Sequence, residues 1–252
     1  MEPILCIDHV EKIFGAPKQT GTYAVKDASF CLYPGEAVGL VGASGSGKST
    51  LAKLICRLND VTSGTISFNG TDITWLKGRK LRPVYKQMQM VFQTPQGTFD
   101  PRKTLGQGIG ESLRNQGHDQ SEIAKKVEDL LAQCGLTSSF AGKYPLEVSG
   151  GQCQRASLAR ALAVRPKLLI CDEATSSLDV TLQAQIISLL NRLRRDEQMA
   201  CLFITHNLAL AQQFCDRIIV MHDGAIVETG KTDDIIKAPK AAYTQELIRA
   251  VL

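Results

Sequence analysis

The chain has 252 residues, 44% hydrophobic and 21% charged, which fits one large or two small folded domains and excludes disordered, collagen-like and small disulfide-scaffold classes. Twenty-nine basic residues against 25 acidic ones leave a net charge of +4, too mild a balance to point to nucleic acid by itself. The longest apolar run, Ala37–Ala43, is seven residues even with its glycines, against the roughly 20 needed to span a bilayer, and the opening MEPILCIDHVEK does not have the pattern of a signal peptide.

The first third reads as strands. ILCIDHVEKIF and ASFCLY carry β-prone alternation, and Pro34-Gly35 marks a turn into the apolar run EAVGLVG. LAKLICRL then shows helical spacing, which predicts Leu51, Leu54, Ile55 and Leu58 on one face. GTISFNGTDI is expected to form a short hairpin turning at Asn69-Gly70, and MQMVFQ a strand.

From about Leu105 to Cys134 the pattern turns helical, with Ser121 as the expected N-cap of SEIAKKVEDLLAQCGL and Gly135 as its stop. The last third alternates. KLLICDE and ACLFITH read as buried strands, TLQAQIISLLNRLRR and LALAQQFC as helices, and RIIVMHDGAIVETG as a hairpin turning at Asp223-Gly224. That alternation predicts a mostly parallel α/β sheet with the helical middle inserted into it. The eight cysteines (Cys6, Cys31, Cys56, Cys134, Cys153, Cys171, Cys201 and Cys215) include no C-x-x-C. They are expected to be reduced core thiols, with a metal site as the alternative.

Three segments carry chemistry. Between the strand EAVGLV and the helix LAKLICRL lies Gly42-Ala43-Ser44-Gly45-Ser46-Gly47-Lys48-Ser49-Thr50, a G-x-x-x-x-G-K-[ST] loop in its strand–loop–helix setting. Its glycines let backbone N–H groups turn inward around a phosphate, and the helix N-terminus adds roughly half a positive charge. Lys48 is expected to bridge the β- and γ-phosphates and Ser49 to ligate Mg²⁺. The second segment, Leu168 to Glu173, places two acids at the end of a buried strand. Asp172 is positioned to hold Mg²⁺ through water, and Glu173 to orient or deprotonate an attacking water. The third, Val148-Ser149-Gly150-Gly151-Gln152, opens another helix with a second anion-ready start. One phosphate needs only one cradle, so this one is expected to serve a nucleotide held mainly by another subunit.

With these segments in this order, the sequence resembles the ATP-binding subunits of ABC transporters over essentially its whole length. Residues 42–50 resemble the Walker A loop, Gln93 the Q-loop glutamine, and 148–152 the LSGGQ signature with Val in place of Leu. Leu168–Glu173 resembles Walker B with its catalytic glutamate. Ser177-Leu178-Asp179 resembles the D-loop, and His206 the switch histidine. The resemblance implies ATP and Mg²⁺ as cofactors, Gln93 sensing the γ-phosphate side and adding to the metal site, His206 stabilising the transition state, and Asp179 near nucleotide. Phe14 falls where an adenine-stacking aromatic usually sits; Tyr23 is the alternative stacker, and a core role for Phe14 stays open.

The resemblance implies an ABC-type P-loop NTPase domain, α/β, with an N-terminal antiparallel β subdomain and an inserted α-helical subdomain. Residues 1–93 and 165–252 would form the nucleotide-binding core and about 94–164 the helical subdomain carrying the signature. QTPQGTFDPRKT and the ending APKAAYTQELIRA are similar to the oligopeptide, dipeptide and nickel importer ATPases; Leu146 replaces a His common in that group. The implied protein powers import of a short peptide, nickel or another metal chelate. Its implied partners are permease subunits, a second and different ATPase, and an extracytoplasmic solute-binding protein. No nucleic acid is expected, and the implied place is the cytoplasmic face of the membrane. An exporter ATPase is the alternative, and a nucleic-acid machine a more distant one. The basic residues Arg79, Lys80, Arg82 and Lys86 read as a solvated, membrane-facing loop.

Overall fold

The computed structural model describes residues 2–15, 21–176 and 178–250. Its strands form one ten-stranded sheet in the order β5-β4-β1-β2-β10-β9-β3-β8-β7-β6, and two chemistries of pairing divide it. On one side β1 (Leu5–Phe14), β2 (Thr22–Leu32), β4 (Ser63–Phe68) and β5 (Thr71–Asp72) pair antiparallel. On the other, β3 (Ala37–Val41), β6 (Met88–Val91), β7 (Leu168–Asp172), β8 (Ala200–Ile204) and β9 (Arg217–His222) run parallel, with β10 (Ala225–Lys231) antiparallel beside β9. The two halves meet through β10 and β2 at the single register pair Ala225–Lys26.

The parallel strands β3, β7 and β8 are buried at every position, which is why they read as unbroken apolar runs: both faces of a parallel sheet are covered by helices. Those helices include α1 (Lys48–Ile55), α5 (Gly150–Leu162), α6 (Val180–Glu197) and α7 (Leu208–Phe214). The four-residue α2 (Arg82–Tyr85) leads into β6. The helical middle consists of α3 (Leu105–Asn115) and α4 (Gln120–Gln133), which pack with α5 around Leu105, Ile109, Leu131 and Cys153. The chain ends in α8 (Thr232–Lys237) and α9 (Ala242–Arg249).

Several local expectations are corrected. The helix after the phosphate loop stops at Ile55, and Arg57 turns into the left-handed region (φ 56°). Leu58 therefore leaves the buried face and is 50% exposed. The single helical stretch expected from Leu105 to Cys134 is two helices, and the second is capped by Asp119, not Ser121. Asp119 accepts from the Glu122 N–H at 2.8 Å, and Ser121 lies inside the helix with its hydroxyl donating to Asp119 at 2.7 Å. A carboxylate at the N-cap satisfies an orphan donor and meets the positive helix end. The strand around ASFCLY begins six residues earlier than its apolar core, at Thr22. Both predicted hairpin turns are present, with Asn69 and Asp223 in the left-handed region at φ 49° and 46°.

The cysteines divide. Cys56, Cys134, Cys153, Cys171, Cys201 and Cys215 are buried free thiols, and desolvation pushes those of Cys56 and Cys134 up to about 12. Cys6 and Cys31 depart from the expectation of reduced core thiols. They lie opposite each other on β1 and β2, Cα atoms 4.2 Å apart, joined as a disulfide. Facing positions of an antiparallel pair bring β-carbons within bridging reach, a proximity that 25 residues of sequence separation conceal. Among the described residues no group of three or more His, Cys, Asp or Glu side chains could hold a metal. Among the described residues no helix is long and apolar enough to cross a membrane.

Candidate active site

The buried strand β3 delivers the chain into the loop Gly42–Gly47, and α1 begins at Lys48. The loop is tightly backed on two sides. A β-carbon on Gly47 would lie 2.2 Å from the Ala24 carbonyl oxygen of β2, and one on Gly42 2.1 Å from the Met221 carbonyl oxygen of β9. Glycine is required at both, at φ 102° and 152°. The tip, Ala43 to Gly45, is exposed, whereas Ser46 and Lys48 are buried. The Lys48 ammonium donates to the carbonyls of Gly42 (2.8 Å) and Ala43 (2.7 Å) and to the Ser46 hydroxyl (3.1 Å). Burial holds its pKa below the ordinary lysine value, against the pull of Glu173 and Asp172. Thr50 follows Ser49 in the first turn, and both are half-buried.

Strand β7 ends on Asp172, and Glu173 follows it. The Ser49 hydroxyl donates to Asp172 at 3.0 Å, so a residue of the loop and one 123 positions later present hard oxygens to one point, the donor chemistry that Mg²⁺ takes. Burial raises the Asp172 carboxyl above the ordinary 3.8, only partly offset by the Ser49 hydrogen bond. Glu173 sits in the left-handed region at φ 50°, a backbone state that costs a non-glycine residue about 1–3 kcal/mol and concentrates at functional sites. The twist is held by its N–H donating to the Ile204 carbonyl at 3.0 Å.

Three residues from different parts of the chain converge there. The Gln93 amide donates to one Glu173 carboxylate oxygen at 2.7 Å, and His206 Nδ1 lies 3.3 Å from the other. Gln93 follows β6 and His206 follows β8, so neighbouring parallel strands place both beside the end of β7. Gln154 was not singled out from the sequence. Its amide donates to the Phe92 carbonyl at 3.1 Å, tying α5 to the residue before Gln93. The signal was its place in the helix that Ser149 opens.

The remaining predicted positions stand apart from this cluster. Ser149 caps α5: its hydroxyl accepts from the Gln152 N–H at 3.3 Å, and the Gln152 side chain accepts from the Ser149 N–H at 2.9 Å. Gly150 and Gly151 form the first turn. Among the described residues no hydrogen bond joins this segment to 42–50. Asp179 caps α6, accepting from the Leu182 N–H at 3.0 Å; Leu178 is buried, and Ser177 lies outside the described residues. Phe14 is 45% exposed and Tyr23 50%, so Phe14 is not a core residue. Tyr23 pairs with Ile13 and is followed by Ala24, whose carbonyl backs Gly47, so the end of the β1–β2 hairpin flanks the phosphate loop. Residues 16–20 lie outside the described residues.

Comparison with known proteins fits this geometry. Curated relatives include the glutathione import ATP-binding protein GsiA of Salmonella typhimurium, 45% identical over 91% of this chain and 37% of its own length. The oligopeptide transport ATP-binding protein OppF of Bacillus subtilis is 41% identical over 99% of this chain and 83% of its own. This chain thus spans little more than a third of the GsiA proteins it matches. The solved structure of the ATP-binding cassette MJ0796, dimeric and bound to ADP and Pi, superimposes with a TM-score of 0.85 at 28% identity, covering 90% of this chain and 98% of that one. Residues 25–176, from β2 through the acid pair, match the ABC transporter family, and with OppF matched over most of its length the chain belongs to that family.

Proposed function

We propose that this chain is the ATP-hydrolysing subunit of an ABC importer, acting on the cytoplasmic face of the membrane. The convergence of Gln93 and His206 on Glu173, beside the Ser49–Asp172 pair, is the observation that carries it. Residues 42–50 hold the phosphates of ATP, with Lys48 exchanging its loop carbonyls for phosphate oxygens. Ser49, Asp172 and Gln93 are the groups to hold Mg²⁺, which supplies charge neutralisation for the transferred phosphoryl group. Glu173 accepts the proton of the attacking water, Gln93 orients its carboxylate, and His206 sits at the γ-phosphate side. Phe14 and Tyr23, at the hairpin end, supply the aromatic surface for adenine.

Ser149 to Gln152 and Asp179 form no part of this chain's own phosphate loop. They serve the nucleotide of a second ATPase subunit packed head to tail, which supports the dimeric arrangement. Permease subunits dock in the groove of about 650 Å³ between β6 and α3, lined by Leu58, Tyr85, Phe92, Phe99 and Lys103. Leu58 and Tyr85, both exposed, give that groove an apolar edge. The relatives' names favour a peptide-like solute, glutathione or an oligopeptide, over nickel; a solute-binding protein would present it.

The test is purification of the chain from its native membranes, with mass spectrometry of what accompanies it and ATPase assay of the assembly. Permease subunits and Mg²⁺-dependent hydrolysis support the proposal. An assembly without a permease, or with nucleic acid, overturns it.

A further inference from the structure

The C-terminal helix reaches the phosphate loop. The Tyr243 hydroxyl, on the first turn of α9, accepts a hydrogen bond from the Ala43 N–H at 2.9 Å across 200 residues of sequence. Its ring is held in place from two directions. The His222 imidazole, at the end of β9, stacks on it with ring centroids 3.8 Å apart and planes 25° from parallel. The start of α9 is fixed by the Glu228 carboxylate of β10, which accepts from the N–H groups of Lys240 (2.8 Å) and Ala241 (3.0 Å). The same β9–β10 turn touches the loop again, where the Gly224 N–H donates to the Ser46 carbonyl at 3.0 Å.

Ala43 lies on the exposed tip of the loop, where backbone N–H groups lack a protein partner unless one is brought to them. A loop that cradles phosphate gains affinity when its backbone is ordered before the ligand arrives, because the ordering entropy is then already spent. We propose that Tyr243 is a positioning residue for the phosphate loop. It makes no contact with the reacting atoms. It fixes the Ala43 end of the loop through its hydroxyl and so sets how tightly the loop takes a nucleotide phosphate. The APKAAYTQELIRA ending, which the catalytic reading leaves unused, thereby acquires a role in nucleotide affinity. This proposal rests on the reading of residues 42–50 as the ATP phosphate site.

Tyr243→Phe removes one oxygen and keeps the stacking ring. It is compared with the wild-type chain and with Lys48→Ala, using amide hydrogen exchange over residues 42–47 without nucleotide and calorimetric titration with ATP. Loss of one hydrogen bond is expected to weaken ATP binding three- to tenfold and to speed exchange at Ala43 about tenfold, with the thermal midpoint unchanged. His222→Ala should act in the same direction, and the double variant should be no weaker than about the stronger single one, since both act through one ring. Wild-type exchange at Ala43 and wild-type affinity in Tyr243→Phe overturn the Tyr243 proposal. Undiminished ATP binding in Lys48→Ala overturns the underlying phosphate-site reading instead, whatever Tyr243→Phe does.

Discussion

Gln93 and Glu173 are joined by a 2.7 Å hydrogen bond, amide to carboxylate, between residues 80 positions apart. The bond uses one carboxylate oxygen and leaves the other toward His206 at 3.3 Å. Glu173→Gln preserves the size of the side chain and its capacity to hydrogen bond to Gln93 but cannot accept a proton. ATP binding is expected to stay within twofold of wild type while turnover falls by about 10²–10⁴, the usual worth of a general base. Nucleotide titration and steady-state hydrolysis of the assembly purified from membranes check this, and wild-type turnover would remove Glu173 from the proposed role of base.

Asp172 offers a prediction of opposite sign for stability and function. Burial raises its carboxyl above 3.8, so the folded chain keeps the proton to a higher pH than the unfolded chain does. The ionised form then costs stability at every pH above the raised value, and the cost vanishes below about pH 4, where folded and unfolded chains both hold the proton. Without nucleotide or metal, Asp172→Asn is expected to raise the thermal midpoint at pH 7.5, with the gain shrinking as pH falls. Hydrolysis should drop at least 100-fold through loss of the proposed Mg²⁺ ligand. Calorimetry at pH 7.5 and 4.5 decides it: a midpoint lowered at both values would refute the burial argument.

Ser149 has a local duty and a proposed remote one. Ser149→Arg removes the cap of α5 and sets a cation at the positive helix end, a loss of about 1–2 kcal/mol. The phosphate loop of the same chain is untouched, so ATP affinity should be kept, while ATP-driven dimerisation in Glu173→Gln background should disappear. Light scattering after size-exclusion chromatography reads the outcome; a dimer that still forms would detach the segment from the partner's nucleotide.

The Cys6–Cys31 pair makes a count. Thiol titration in denaturant without reductant should find six reactive groups in the oxidised protein, those of the free cysteines, and eight after reduction. Release of the 25-residue loop on reduction should lower the thermal midpoint by several degrees, since closing a loop of that length contributes up to about 3 kcal/mol. Eight thiols from the outset would mean the two strands hold reduced cysteines side by side.

What the sequence made legible was whatever is written in consecutive residues. The phosphate loop, the acid pair after LLIC and the Ser149 helix start each occupy a contiguous stretch, and the buried strands around them are unbroken apolar runs. Helical periodicity runs on to Leu58, one residue past the point where Arg57 adopts φ 56°, a backbone choice with no mark in the hydrophobic pattern. Ser121 is the cap expected from the sequence and Asp119, two residues earlier, the cap observed; both types cap helices, and boundaries are where local propensity is weakest. The meeting of Gln93, Glu173 and His206 was foreseen only through resemblance, because strand order is a long-range property. The Tyr243–Ala43 and Cys6–Cys31 contacts had no local signal at all.

The two halves of the sheet are joined at one register pair, Ala225 beside Lys26, and this narrow seam runs next to the site. Phe14 and Tyr23 belong to the antiparallel side, Lys48 and Asp172 to the parallel side. A nucleotide with its base on the hairpin and its phosphates on α1 straddles the boundary as a rivet does two plates. On the proposed binding mode, filling the site would stiffen the join between the sheet halves, and emptying it would return to that join the freedom to flex.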